Sequence, residues 1–207
     1  MNCLTVIEVL ADMGVVENKG FSIQPLEICG FRSALEALRL PFGKDCRSIA
    51  NFDASMSEDL ENEHAPYEYC SNSHIFLNKQ DVKLMSTLVK RGPEHSKVVR
   101  GIIVYAKITA PIYWWCEMET YRAGHERLSS ESTMHIDARG LAGDDLVEFK
   151  RNIPMGKMLT KVDFFSYQCL RTIVKQRKDH RLPEWHWFID WVKTLPLANE
   201  LILCDNE

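Results

Sequence analysis

The segment APIYWWCEMETYRAGHERLSSESTMH, Ala110 to His135, sets two tryptophans beside alternating acids and aromatics, followed by hydroxyls, histidines and a pair of arginines. Indole faces stack on flat rings, and a planar guanidinium matches a phosphate through two parallel hydrogen bonds. Arg122 and Arg127 offer that fork; an ion pair with Glu117, Glu119 or Glu126 is the competing use. The run Ser129, Ser130, Glu131, Ser132, Thr133 can open a helix whose free amides and hydroxyls hold a phosphate, with Glu131 on an imide or ribose hydroxyl. A plain capping turn accounts for the same residues. At helical spacing Trp115, Met118 and Arg122 share one face, and Trp114, Glu117 and Tyr121 the next, so the rings either pack in a core or stack on a ligand. The residue types are those of a wall against a planar, polar molecule.

His95 and His135 suit neutral-pH hydrogen bonding to a base or proton carriage, with a structural role as the alternative. Cys116 lies near His125, and a thiol beside an imidazole is what covalent catalysis needs; a buried structural cysteine is the other reading. His180 and His186 do not share a helical face, so no metal is expected. The patterns GxxxxGK[ST], GxGxxG and HExxH are absent, which excludes the common phosphate loops and zinc-protease helix.

Several elements must position these residues. Cys3 to Leu10 and Phe21 to Ile28 read as strands, and Ser33 caps a helix, ALEALRL, that ends before Pro41. Lys44 to Ser73 is polar, acidic and aperiodic, a long mobile loop. A helix starts at Asn78 or Asp81, buries Val82, Leu84, Met85, Leu88 and Val89 along one face, and closes at Gly92-Pro93. Gly101 to Thr109 is a buried strand, and Pro111 suits the first turn of the helix that carries the opening segment. Gly140 to Gly143 is a turn, Met158 to Lys178 reads as a long amphipathic helix, and Pro183 starts another. The fold class is α+β, helices packed on a small mixed sheet.

Composition sets the outer limits. At 207 residues and 45% hydrophobic, the chain supports a single domain over residues 1–207. A net charge of −4 and a pI near 6.0 argue against binding a nucleic-acid polymer, which needs a basic field. Seven cysteines without a CxxC pair suit reduced thiols in a cytoplasm. With no basic leader and no 18-residue apolar window, a soluble intracellular protein without membrane contact is expected.

The run EH, fourteen residues, then APIYWWCEMETYR resembles the flavin-dependent thymidylate synthases, in which a histidine precedes a strand ending AP[IV]F and a helix leading to RHRxxSxNExSxRY. His95 falls on that histidine, Ala110-Pro111 on the strand-to-helix junction and Arg122 on the last arginine of RHR; Thr120 and Tyr121 replace its first two residues. With about three inserted residues Glu131 meets the family's glutamate, Ser130 and Thr133 replace its asparagine and serine, and His135 stands for an arginine. CLRTIVKQRKDH is similar to NLxxFLxLRxxxH, with Leu170 and Arg177 matching and His180 one residue early. The family's later arginine has no counterpart near Trp187; Arg181 is the nearest substitute. The likeness spans Gly92 to Trp191. The chain also resembles bacteriophage proteins carrying WWxExxTYxxG, STMH and a late W…LP, here Trp114 to Gly124, Ser132 to His135, and Trp191 to Pro196.

The resemblance implies a homotetramer with pockets at subunit interfaces. It implies FAD held by His95, Arg122 and Arg177, and a dUMP-like pyrimidine nucleotide near Arg127, Ser129, Ser130, Glu131, Ser132, Thr133, His135 and Arg181. Methyl transfer to the base with flavin hydride is the activity it suggests. The degraded RHR motif leaves an alternative, an inactive phage protein that sequesters a host nucleotide signal.

Overall fold

Alternation in IVYAKITAP buries Val104, Ala106, Ile108 and Ala110 on one side of a strand and leaves Lys107 exposed on the other. That strand is the middle of the sheet. The structure is a computed structural model describing residues 6–10, 13–43, 49–50 and 74–204. Strands β1 (Val6–Leu10), β4 (Ile49–Ala50) and β5 (His74–Asn78) form a small sheet in the order β1-β5-β4. A five-stranded sheet joins β2 (Val16–Asn18), β3 (Phe21–Cys29), β6 (Ile103–Pro111), β7 (His125–Ser130) and β8 (Met158–Ser166) in the order β2-β3-β6-β8-β7. All pairings among the described residues are antiparallel, so neighbouring strands alternate in direction throughout, where a mixed sheet was expected.

The helices are α1 (Phe31–Arg39), α2 (Lys79–Lys90), α3 (Ile112–Met118), α4 (Gly143–Arg151), α5 (Tyr167–Arg177), α6 (Pro183–Lys193) and α7 (Ala198–Leu201). Helices α3, α5 and α6 pack against the five-stranded sheet. Trp114 is the hub of the core, its ring centroid 5.5 Å from Phe21, 4.9 Å from Trp185 and 5.7 Å from Phe188. Buried aromatics of this size remove about 150–250 Å² each from water, which makes this cluster the main apolar contribution of α3 and α6. Along α2, Val82, Met85 and Val89 are buried and Leu84 and Leu88 partly so, as the spacing predicts. Among the described residues no helix is long and apolar enough to cross a membrane.

Several boundaries differ from the sequence reading. Helix α1 starts at Phe31, three residues before the ALEALRL run, because Gly30 takes a left-handed φ of 93° and makes the turn; Ser33 lies inside the helix. Met158 to Lys178 is a strand followed by a helix, not one helix. Ser166 breaks it: its N–H is held by the Gly124 carbonyl, and its hydroxyl accepts from the Cys169 N–H at 3.1 Å to cap α5. The helix after Pro111 ends at Met118, so Arg122 lies in the following turn and not on a helical face with Trp115 and Met118. Ser129 and Ser130 close β7 and start no helix. Helix α4, unexpected from the sequence, buries none of its residues. Of the expected loop over 44–73, residues 49–50 form strand β4, and the rest lies outside the described residues.

Candidate functional site

Two acids at the end of α3, Glu117 and Glu119, gather the basic residues of this region into two clusters. In the first, Glu117 Oε2 accepts from Arg177 Nη1 at 2.8 Å and from the Trp185 indole N–H at 2.8 Å, with His180 Nε2 at 3.3 Å. Arg177 also donates from Nε to the Tyr121 hydroxyl at 2.7 Å, and its guanidinium lies 4.7 Å from the Trp185 ring centroid. Helix α6 is anchored a second way, since Tyr113 donates to the buried Glu184 carboxylate, which pushes the Tyr113 phenol up to about 12.

The second cluster sits on the covered face of β8, where Lys161, Asp163 and Phe165 follow one another at strand spacing and are all buried. Register places Arg127 opposite Asp163 and His125 opposite Phe165. Glu119 pairs with Arg127 and accepts from Lys161 Nζ at 3.1 Å, while Lys161 lies 4.2 Å from the Trp115 ring centroid. His125 stacks flat on Phe165, 4.7 Å between centroids and 2° between planes. Its Nε2 is 2.7 Å from Asp163 Oδ2 and its Nδ1 2.8 Å from the Tyr121 carbonyl. Both ring nitrogens of His125 thus face an oxygen of another residue. Tyr121 links the clusters, through its hydroxyl to Arg177 and its carbonyl to His125.

Burial pushes the Lys161 ammonium down to about 8, with the neighbouring Arg127 guanidinium adding to the effect. An unfolded lysine titrates near 10.4, so below pH 8 both states are protonated and the burial cost stands in full. Between those values the unfolded chain keeps a proton the folded chain has lost, and stability rises with pH. The rise is expected to be on the order of 1–2 kcal/mol after screening at a half-open cluster. Lys161→Met is expected to flatten it, as read by urea unfolding at neutral pH and near pH 10; the same pH response in both proteins would contradict this.

The residues singled out by sequence are dispersed among different roles. Arg177 is drawn into the Glu117 cluster and Arg127 into the Glu119 pair. Arg122 and Arg181 are exposed, with no hydrogen bond or ion pair to a described residue. His95 is exposed on the rim of a cavity of about 380 Å³ lined by Ala34, Leu38, Pro41, Lys97 and Val98. Glu131 continues the strand ladder, exchanging backbone and side-chain hydrogen bonds with Thr160 at 2.8 and 2.7 Å. The Ser130 hydroxyl donates to the Glu131 carbonyl, whereas Ser129 is simply exposed. Ser132 accepts from the Met134 and His135 N–H groups and meets the His135 ring at 2.8 Å, and Thr133 accepts from Lys150. That is the capping-turn reading of the run.

Trp114 and Trp115 are 0% and 2% exposed, which removes both rings from ligand stacking. The Cys116–His125 pair does not form either, because both His125 nitrogens are engaged elsewhere, and Cys116 is exposed rather than buried. Sequence reasoning missed Lys161 and Asp163 because they interrupt the apolar side of β8. It missed the scale of Glu117's part, which the WWxExxTY spacing marks: Glu117 and Tyr121, four apart, both engage Arg177.

A flavin needs these residues to present uncommitted positive charge to its pyrophosphate. Arg177 is paired with Glu117 and Thr120 and Tyr121 supply no charge, so of His95, Arg122 and Arg177 it is Arg122 that presents an uncommitted guanidinium.

No family model matches the sequence, and neither does any curated protein. Solved structures match in shape. The flavin-dependent thymidylate synthase ThyX from Helicobacter pylori, complexed with FAD and dUMP, gives a TM-score of 0.57 at 10% identity over 89% of this chain and 99% of that one. The UMP/dUMP methylase PolB from Streptomyces cacaoi, bound with 5-Br dUMP, gives 0.53 at 12% identity over 90% and 96%. At such identities the likeness is one of architecture: the α+β fold of this chain is that of the flavin-dependent thymidylate synthases.

Proposed function

We propose that the protein binds a pyrimidine nucleotide of the dUMP kind, and does so without a flavin. The observation that carries the nucleotide reading is the match of nearly the whole chain to folds solved with dUMP or its 5-bromo analogue. Exposed Arg122 and Arg181 remain as cations for a phosphate. What favours binding over flavin chemistry is the altered RHR motif, in which uncharged Thr120 and Tyr121 stand in place of the first arginine and the histidine. The sites are completed between copies of a homo-oligomer, a tetramer by the same resemblance, and the exposed Met134, Ile136, Leu141, Val147 and Met155 in the β7–β8 connection supply an apolar surface for that contact. A phage protein that sequesters a nucleotide of the host cytoplasm is the role we infer.

The second reading is a flavin-dependent enzyme of the thymidylate synthase type. Its support is the mainly apolar cavity beside exposed His95, where the resemblance puts flavin contacts. A visible spectrum of the purified protein, before and after incubation with excess FAD, separates the two. We expect no absorbance bands near the usual flavin maxima of ~370 and ~450 nm, since two or more charge-assisted contacts worth about 1.5–3 kcal/mol each are missing. A yellow protein that releases FAD on denaturation would establish the second reading instead.

A further inference from the structure

We infer that Arg177, His180 and Trp185 form an anion cradle that Glu117 fills with its own carboxylate, and that the phosphate monoester of a nucleotide enters by displacing it. Two N–H donors, Arg177 from α5 and Trp185 from α6, converge on one oxygen supplied by α3, and His180 Nε2 in the α5–α6 connection lies 3.3 Å from it. Each donor is oriented by something other than Glu117. The Tyr121 hydroxyl and the Trp185 ring hold Arg177, while His180 accepts the Leu182 N–H on Nδ1 at 3.2 Å and so keeps its own proton on Nε2, facing Glu117. Trp185 is fully buried, and its N–H requires an acceptor if Glu117 leaves.

Convergent, preoriented donors around an arginine are what a phosphate oxygen needs. The cradle is also reachable: the side chains of Glu117, Arg177 and His180 are 32%, 18% and 25% exposed. Glu117 stands in the last turn of α3, where the helix dipole disfavours a carboxylate, so the resident acid is the part easiest to exchange. A ligand dianion brings more charge and more acceptor oxygens to the same donors. The cradle thus acts as an autoinhibited phosphate site whose affinity is set by competition with its own side chain. The inference rests on the nucleotide reading only for the identity of the phosphate carrier.

The test is calorimetric titration of inorganic phosphate and of dUMP into the full chain as wild type, Glu117→Ala, Glu117→Gln and Glu117→Ala with Arg177→Gln, each checked for folding by circular dichroism. Phosphate affinity is expected to rise at least tenfold in Glu117→Ala and to fall back in the double variant. Glu117→Gln keeps an oxygen for Trp185 and removes the charge; if the alanine variant does not fold, it carries the test alone with the same expected direction. Unchanged or weaker phosphate binding in a folded Glu117 variant overturns the proposal. A gain for phosphate with no dUMP binding by any variant supports the cradle and removes the nucleotide reading. dUMP binding by the wild type that the Glu117 substitutions leave unaltered does the reverse.

Discussion

Asp163→Ala is expected to lower the free energy of unfolding by about 3–5 kcal/mol, because it strips the acceptor from a histidine that stays buried. Asp163 is fully enclosed and His125 nearly so, and water cannot replace the lost carboxylate without opening the β7–β8 pair. Since whole domains of this size are stable by only about 5–15 kcal/mol, urea unfolding at neutral pH should show the loss plainly. Removing both partners is a different experiment. Phe in place of His125 keeps the ring stacked on Phe165, and Leu in place of Asp163 fills the position, so the double replacement should recover most of the deficit. A loss under about 1 kcal/mol in Asp163→Ala would mean that the pair is not the buried link between Tyr121 and β8 described above.

Gly30→Ala is expected to cost about 2–5 kcal/mol, the sum of left-handed strain and enforced displacement of packed backbone. A methyl group at Gly30 would be driven into the Gly101 carbonyl oxygen, and that atom belongs to main chain, which cannot step aside as a flexible side chain would. The contact holds α1 against the segment that leads into β6. Gly43 is the control: its φ of 60° is also left-handed, but among the described residues a methyl group there meets nothing within 4 Å. Gly43→Ala should therefore show the strain alone, roughly 1–2 kcal/mol. Equal thermal or urea stabilities for the two variants would contradict the crowding at Gly30.

Elements whose apolar pattern coincides with their buried face were legible in the sequence. Strand β6 alternates cleanly, α2 carries its apolar stripe, and Pro183 starts α6 as its position at a first turn predicts. Strand β8 was not legible, for a physical reason. Its buried face holds Lys161 and Asp163, whose charges are satisfied by Glu119 and His125 from other elements, so the alternation that marks a strand is absent from MLTKVDFFS. The β-branched Thr160 and Val162 and the capping Ser166 were the available signals. Helix α3 was overextended because nothing in WWCEMETYR marks where it stops, and its end is set by tertiary contacts of Tyr121.

Site residues fared less evenly. Residue types alone suggested arginines facing a phosphate, and the weighed alternative, ion pairing with the glutamates of α3, is what Arg127 does and Arg122 does not. Arg177 was identified through a family motif, yet its partner Glu117 lies 60 residues away in sequence, a pairing that periodicity cannot reveal. The tryptophans that looked like a stacking platform are core, since a short helix over a sheet needs large rings to fill the gap.

The measurement closest to the proposed function is an isothermal titration of dUMP into the purified protein with no flavin present, with deoxyuridine as the comparison. Saturable binding of dUMP, at least tenfold tighter than that of deoxyuridine, is the predicted result, since a recognised phosphate contributes at least one charge-assisted contact of about 1.5–3 kcal/mol. No heat and no thermal stabilisation with dUMP at millimolar concentration, or binding that appears only after FAD is added, would contradict it.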